Sequence, residues 1–111
     1  MDALIEAAWL AREKALAAYS GFRVGAALED DSGGVHTGCN VENASYGLTV
    51  CAERVALFKA LSEGARAFRR IAVVTEAAAL TPPCGACRQL LWEFCRDISV
   101  TMANRAQTRT L

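Results

Sequence analysis

Three cysteines and one glutamate have the types and spacing to form a reactive centre: Cys51-Ala52-Glu53, followed by Pro83-Cys84-Gly85-Ala86-Cys87. Catalytic zinc keeps three protein ligands and an open fourth position for water, and thiolate sulfur is among its preferred donors. Cys51, Cys84 and Cys87 would supply three such donors. Cys84 and Cys87 lie three residues apart, the reach of one helical turn, so both can face one ion. Glu53, two residues from Cys51, can approach the bound water without entering the ligand set. There it can accept a proton from water and pass it to a substrate nitrogen. Three thiolates around a dication leave a net charge of −1, which opposes acidification of the water. Two features oppose that effect. Both cysteine segments fall where helices are expected to begin, at the positive ends of helix dipoles. Arg54, beside Glu53, can donate hydrogen bonds to a thiolate.

These residues also carry a resemblance. A Cys-x-Glu followed by Pro-Cys-x-x-Cys is the signature of zinc nucleobase deaminases in its all-cysteine form. Phe22-Arg23-Val24-Gly25-Ala26-Ala27-Leu28, Gly38-Cys39-Asn40-Val41-Glu42-Asn43-Ala44 and Cys51-Ala52-Glu53-Arg54 add to it. Together, over about Tyr19 to Phe94, the chain resembles the small homotetrameric cytidine deaminases. The resemblance implies a hydrolase of pyrimidine salvage that converts cytidine and deoxycytidine to uridine and deoxyuridine with release of ammonia. It implies one Zn²⁺ per chain, held by Cys51, Cys84 and Cys87, with Glu53 as the proton shuttle. It carries over Phe22 as a wall for the pyrimidine ring, Asn40 and Glu42 as partners of the ribose hydroxyls, and Ala52 as a further substrate contact. Tyr19 and Tyr46 match positions near the site, Tyr46 reaching a neighbouring subunit in a homotetramer. Related chains continue for a further strand and a short helix, so a more open pocket and weaker tetramer contacts are expected.

Other chemistries compete for the same residues. An aminonucleoside deaminase of the blasticidin S type also uses Cys-Ala-Glu and Pro-Cys-Gly-x-Cys, but Asn40-Val41-Glu42-Asn43-Ala44 looks more like the cytidine enzymes. A structural zinc module would normally close its site with four ligands, and three are in place here beside a carboxylate. A thiol–disulfide protein built on Cys84-Gly85-Ala86-Cys87 would leave Cys51-Ala52-Glu53 without a role.

Composition narrows the class further. The chain has 111 residues, which suits a single domain, and 53% of them are hydrophobic. Twelve basic and twelve acidic residues give zero formal charge, against a phosphate-tracking nucleic-acid surface. No apolar run approaches the ~18 residues of a membrane span, and Met1-Asp2 does not open a signal peptide. Five cysteines are an odd number for a secreted disulfide framework. A cytoplasmic protein with reduced thiols is the expectation, binding a nucleoside and neither nucleic acid nor membrane. Cys39 and Cys95 are expected to be small buried residues, and His36, the single histidine, to be solvated or structural. Trp9, Trp92 and Phe94 are read as packing or subunit contacts.

The elements that must position the site follow from periodicity. Asp2 to Ala18 reads as a helix capped by Asp2, ending at Tyr19-Ser20-Gly21. Val24–Leu28 and Val35–Val41 read as a hairpin about the turn cluster Asp30–Gly34. A loop over Glu42–Gly47 leads to a helix from Thr49 or Val50 to Ser62, with Ala52, Val55, Ala56 and Lys59 on one face and Phe58 and Leu61 extending it. Ile71–Thr75 has the unbroken apolar run of a strand covered on both faces. A third helix is expected from Cys84 to Cys95, a strand over Ile98–Met102, and the start of an edge strand beyond Asn104. This order predicts a three-layer α/β/α sandwich with a central mixed sheet, the fold that the resemblance also implies.

Overall fold

The computed structural model describes residues 2–19, 21–42, 44, 50–76, 85–96 and 98–110, with the backbone alone for 85–88. The elements run α1 (Ala3–Arg12), β1 (Val24–Asp30), β2 (Val35–Cys39), α2 (Ala52–Ser62), β3 (Phe68–Thr75), α3 (Gly85–Cys95), β4 (Ser99–Ala103) and β5 (Thr108–Thr110). The strands form one sheet in the order β2-β1-β3-β4-β5. It is mixed: β3 and β4 are parallel, and the other neighbours are antiparallel.

The two faces of the sheet carry separate apolar clusters. On one, Leu4, Ile5, Ala8 and Trp9 of α1 pack against Ala27, Ala72, Val74 and Ala103. On the other, Ala52, Ala56, Leu57 and Ala60 of α2 and Leu91 and Cys95 of α3 pack against Ala26, Leu28, Ile71 and Val73. Alternate residues of β1 and β3 thus enter opposite clusters, as the strand period of two requires. The α/β/α sandwich is the expected one.

α1 starts as predicted, with the Asp2 carboxylate accepting from the Leu4 N–H at 2.8 Å. Arg70 of β3 grips the same carboxylate at 2.6 and 2.7 Å. Its guanidinium, more than the helix N–H groups, draws the Asp2 acid down to about 2. The helix ends at Arg12, six residues before the predicted Ala18. Leu16 instead pairs with the strand beyond β2: its N–H donates to the Asn40 carbonyl at 3.0 Å, and its carbonyl accepts from Glu42 N–H at 2.8 Å. Those tertiary hydrogen bonds outweigh the helical preference of an alanine-rich stretch.

α2 begins at Ala52, later than predicted, with Cys51 as its N-cap residue. Its buried stripe is Ala52, Glu53, Ala56, Leu57 and Ala60. Phe58 and Lys59, placed on the apolar side by sequence, face solvent. β2 stops at Cys39, with Val41 forming isolated bridges to Leu16 and Val50. The remaining strands agree with the predictions within a few residues, β3 reaching back to Phe68 and the last edge strand being Thr108–Thr110.

Candidate active site

The Cys-x-Glu segment and the start of the helix that carries Cys87 are delivered to the same end of the sheet. Cys39, at the end of β2, pairs with Gly25, and Gly25 pairs with Val74 near the end of β3. The carboxyl ends of β2 and β3 therefore lie together, flanking the start of β1. Reciprocal hydrogen bonds between Val41 and Val50, at 2.9 and 3.0 Å, bring Cys51 back beside the end of β2. β4 runs parallel to β3, so α3 between them must begin at that same end. Ligands of open α/β sheets bind outside carboxyl ends of strands.

Close packing fixes the first turn of α2 against the sheet. A Cβ on Gly38 would stand 2.5 Å from the Ala52 carbonyl oxygen and 2.5 Å from the Ala56 nitrogen. Only a residue without a side chain admits the helix so near. Cys51, half-buried and extended (φ −75°, ψ 153°), is aimed from the N-cap. Glu53 follows in the first helical turn with 5% of its surface exposed. A carboxylate at a helix N-terminus is favoured by the dipole, which offsets part of the desolvation that burial imposes.

Cys87 is the third residue of α3, again within a first turn. Its side chain, all of Cys84 and all of Tyr46 lie outside the described residues. Two helix N-termini at one sheet end, one opening on Cys-x-Glu and the other on the second cysteine of Cys-x-x-Cys, fit a zinc ion in donor chemistry and in electrostatics. The ligand distances involve side chains outside the described set. Arg54 is half-buried beside Glu53.

The expected substrate contacts gather at the same end. Phe22 lies just before β1 with 38% of its surface exposed. Asn40 is buried, and its side chain braces that segment. Its Oδ1 accepts from the Val24 N–H at 2.9 Å, and its Nδ2 donates to the Phe22 carbonyl at 2.8 Å. Sequence reading took Asn40 only as a partner for sugar hydroxyls and missed this bracing, because nothing in the pattern signals a side-chain-to-backbone bond between residues 16 and 18 apart. An amide retains a second N–H and a second lone pair for a ligand. Glu42 is half-buried, and its Oε1 accepts from Tyr19 N–H at 3.0 Å. Ala52 is fully buried against Gly38.

Cys95 and His36 stand away from this end, whereas Cys39 lies at it, outside the expected ligand set. Cys95 is buried in the α3 cluster, and burial pushes its thiol up to about 11. Cys39, expected to be buried, is half-exposed at the end of an edge strand. His36 lies at the far end, where Nε2 meets Asp30 Oδ2 and Nδ1 meets Glu63 Oε1, each at 2.9 Å. Its role is structural, as expected.

Residues 1–103 match the cytidine and deoxycytidylate deaminase zinc-binding region, and the chain belongs to that family. It is 56% identical over 102 residues to a cytidine deaminase of Halalkalibacterium halodurans, covering 91% of this chain and 77% of that protein. The crystal structure of cytidine deaminase from Burkholderia pseudomallei superposes with a TM-score of 0.95 at 54% identity, over 98% of this chain and 89% of that one. A blasticidin-S deaminase of Bacillus cereus is more distant, at 31% identity over 69% of this chain and 61% of its own length.

Proposed function

We propose that this protein is a zinc-dependent hydrolase that deaminates cytidine and deoxycytidine at C4 in pyrimidine salvage. The carrying observation is the buried Glu53 two residues beyond the Cys51 N-cap, at the sheet end where α3 also begins. Membership of the family and similarity to two cytidine deaminases support the reading. The lower identity to the blasticidin-S enzyme favours cytidine over that antibiotic.

Cys51, Cys84 and Cys87 would hold one zinc ion. When bound, zinc supplies a water acidic enough to lose a proton near neutral pH. Glu53 takes one proton from the water and delivers it to ring N3, then takes the proton of the hydroxyl now on C4 and passes it to the departing amine. The water oxygen bonds to C4, the C4–N bond breaks and ammonia leaves. One carboxylate serves each transfer because its burial keeps bulk water from competing. Phe22 lies against the pyrimidine ring, and Ala52 bounds the pocket beside Glu53. Asn40 and Glu42 read the ribose hydroxyls, with Tyr19 and Tyr46 nearby. A carboxylate at the sugar also repels a 3′-phosphate, which selects nucleosides over oligonucleotides. Arg54 neutralises charge on the thiolates.

The chain forms one domain over residues 1–111, functions in the cytoplasm and assembles as a homotetramer. Leu10, Leu16, Phe58 and Trp92 support assembly, with exposures of 68%, 61%, 46% and 56%. Among the described residues no helix is long and apolar enough to cross a membrane.

The test is ammonia release from cytidine, deoxycytidine, CMP, cytosine and single-stranded DNA, with zinc and mass measured on the same sample. Turnover of both nucleosides, one zinc per chain and a tetramer by light scattering are expected. Equal or faster turnover of an oligonucleotide overturns the substrate reading. A fully active monomer overturns a site shared between subunits.

A further inference from the structure

We propose that Arg12 and Thr75 are positioning residues for substrate binding, acting through the backbone of Phe22-Arg23-Val24. The inference rests on the reading of Phe22 as the wall of the pyrimidine site. Residues 21–23 belong to no helix or strand, so their placement depends on side chains that grip them. Three do so. Asn40 binds the Phe22 carbonyl and the Val24 N–H. Arg12 Nε donates to the Arg23 carbonyl at 3.2 Å, and Thr75 Oγ1 donates to the same oxygen at 3.2 Å.

The two donors come from opposite sides of the segment in sequence and are themselves fixed. Thr75 ends β3 with 2% of its surface exposed. The Arg12 side chain is 13% exposed and meets Glu76 Oε2 at 3.4 Å. Its helix cannot shift away from β1 independently. A Cβ at Gly25 would lie 2.0 Å from the Ala8 carbonyl oxygen and 2.8 Å from the Arg12 nitrogen, so helix and strand touch backbone to backbone. Arg12 thereby links the end of α1, the residue after the ring wall and the residue that follows β3. None of these groups reaches the reacting atoms. Their effect is to hold the wall in its binding position before the nucleoside arrives, which removes an ordering cost from binding.

Arg12→Met keeps the length of the stem without the donors, and Thr75→Val is close to isosteric. Glu76 is half-exposed, so Arg12→Met strands no buried charge. A group that orders the binding wall contributes to ground state and transition state alike, so KM rises while kcat is kept. The expected result is a KM for cytidine raised about tenfold in Arg12→Met and about fivefold in Thr75→Val, with kcat within about threefold. The Kd for uridine, measured by calorimetry, should rise in parallel, and zinc should stay at one per chain. In a Phe22→Ala background the added effect of either substitution should vanish. Wild-type KM and Kd in both variants overturn the proposal, as does a lowered melting temperature without a change in either constant. So does a rise of equal size in the Phe22→Ala background, because the donors would then act elsewhere. If Phe22→Ala alone leaves KM and Kd unchanged, the ring-wall reading fails and the proposal with it. Should Arg12→Met not fold, Thr75→Val decides on the same criteria.

Discussion

Replacing Glu53 with Gln isolates the proton chemistry from everything else at the site. Glutamine nearly matches glutamate in volume, so the stripe of Ala52, Ala56, Leu57 and Ala60 around it keeps its packing. Glu53 is outside the proposed ligand set, so metal content should also be kept. What disappears is a group that can accept a proton and give it back. One positioned acid–base group is typically worth ~10²–10⁴ in rate. Two observations place this case at or above the upper end. Only 5% of Glu53 is exposed, so bulk water cannot easily stand in for the missing carboxylate. The same carboxylate is also assigned four transfers: water to Glu53, Glu53 to N3, the C4 hydroxyl to Glu53, and Glu53 to the amine. A loss of about 10⁴ or more in single-turnover rate is therefore expected. Cytidine should bind the variant as tightly as before, or more tightly, because it no longer reacts. The assay is single-turnover deamination by rapid quench, with zinc and circular dichroism measured on the same sample. Zinc-replete, folded variant that keeps more than about a tenth of the wild-type rate would show that Glu53 is not the shuttle.

The His36 bridge predicts a pH dependence of stability at the far end of the sheet. Hydrogen bonding to Asp30, more than to Glu63, raises the imidazole above its ordinary 6.5, while His36, more than the Ser32 and Gly34 donors, holds Asp30 well below the usual carboxylate range. A raised histidine stabilises fully below its unfolded value and loses that contribution as pH rises through the folded one. A depressed aspartate stabilises above about 3.8 and loses its contribution as pH falls. The melting temperature of wild type should thus exceed that of His36→Gln most at about pH 5–6, and the gap should shrink as pH rises further; a constant gap would mean that charge on His36 plays no part. Gly25→Ala should destabilise strongly, since the blocking atoms at 2.0 and 2.8 Å are backbone atoms of α1 and cannot rotate aside. Overpacking typically costs ~1–3 kcal/mol, and the rigid contact puts this case near the top, a fall of roughly 10–20 °C in melting temperature. A fall under a few degrees would show that α1 yields easily.

The sheet and its helices were legible because each strand of the sandwich shows its burial in its residues. Ile71–Val74 is apolar throughout, and the structure buries each of those positions, Ala72 and Val74 toward α1 and Ile71 and Val73 toward α2 and α3. The end of α1 was not legible. Ala15 and Ala18 continue the helical stripe, and only the pairing of Leu16 with Asn40 and Glu42 stops the helix. That pairing joins residues 24 and 26 apart and leaves no periodic trace. The buried face of α2 was misassigned for a related reason. Pattern reading sorts a carboxylate to the solvent side, which leaves Glu53 off the stripe and puts Phe58 on it. The structure inverts both, with Glu53 buried and Phe58 exposed.

That inversion connects the fold to the chemistry. A carboxylate enters an apolar stripe at a cost of desolvation, and positioned acid–base chemistry gives a reason for tolerating it. The candidate site is legible in Cys-x-Glu and Cys-x-x-Cys, where residue type and spacing are themselves the signal. The residues that aim those groups are not, because aiming is done by backbone contact and by bonds to carbonyls. Gly38 brings α2 against β2 by having no Cβ, and Arg12, Asn40 and Thr75 fasten Phe22-Arg23-Val24 through main-chain atoms. Each looks ordinary in sequence: a small residue in a strand, an arginine on a helix, a threonine at a strand end. In three dimensions they converge where β2 and β3 end and β1 begins. Substitutions at Arg12 and Thr75 should alter binding while sparing the proton shuttle, whereas Glu53→Gln should do the reverse.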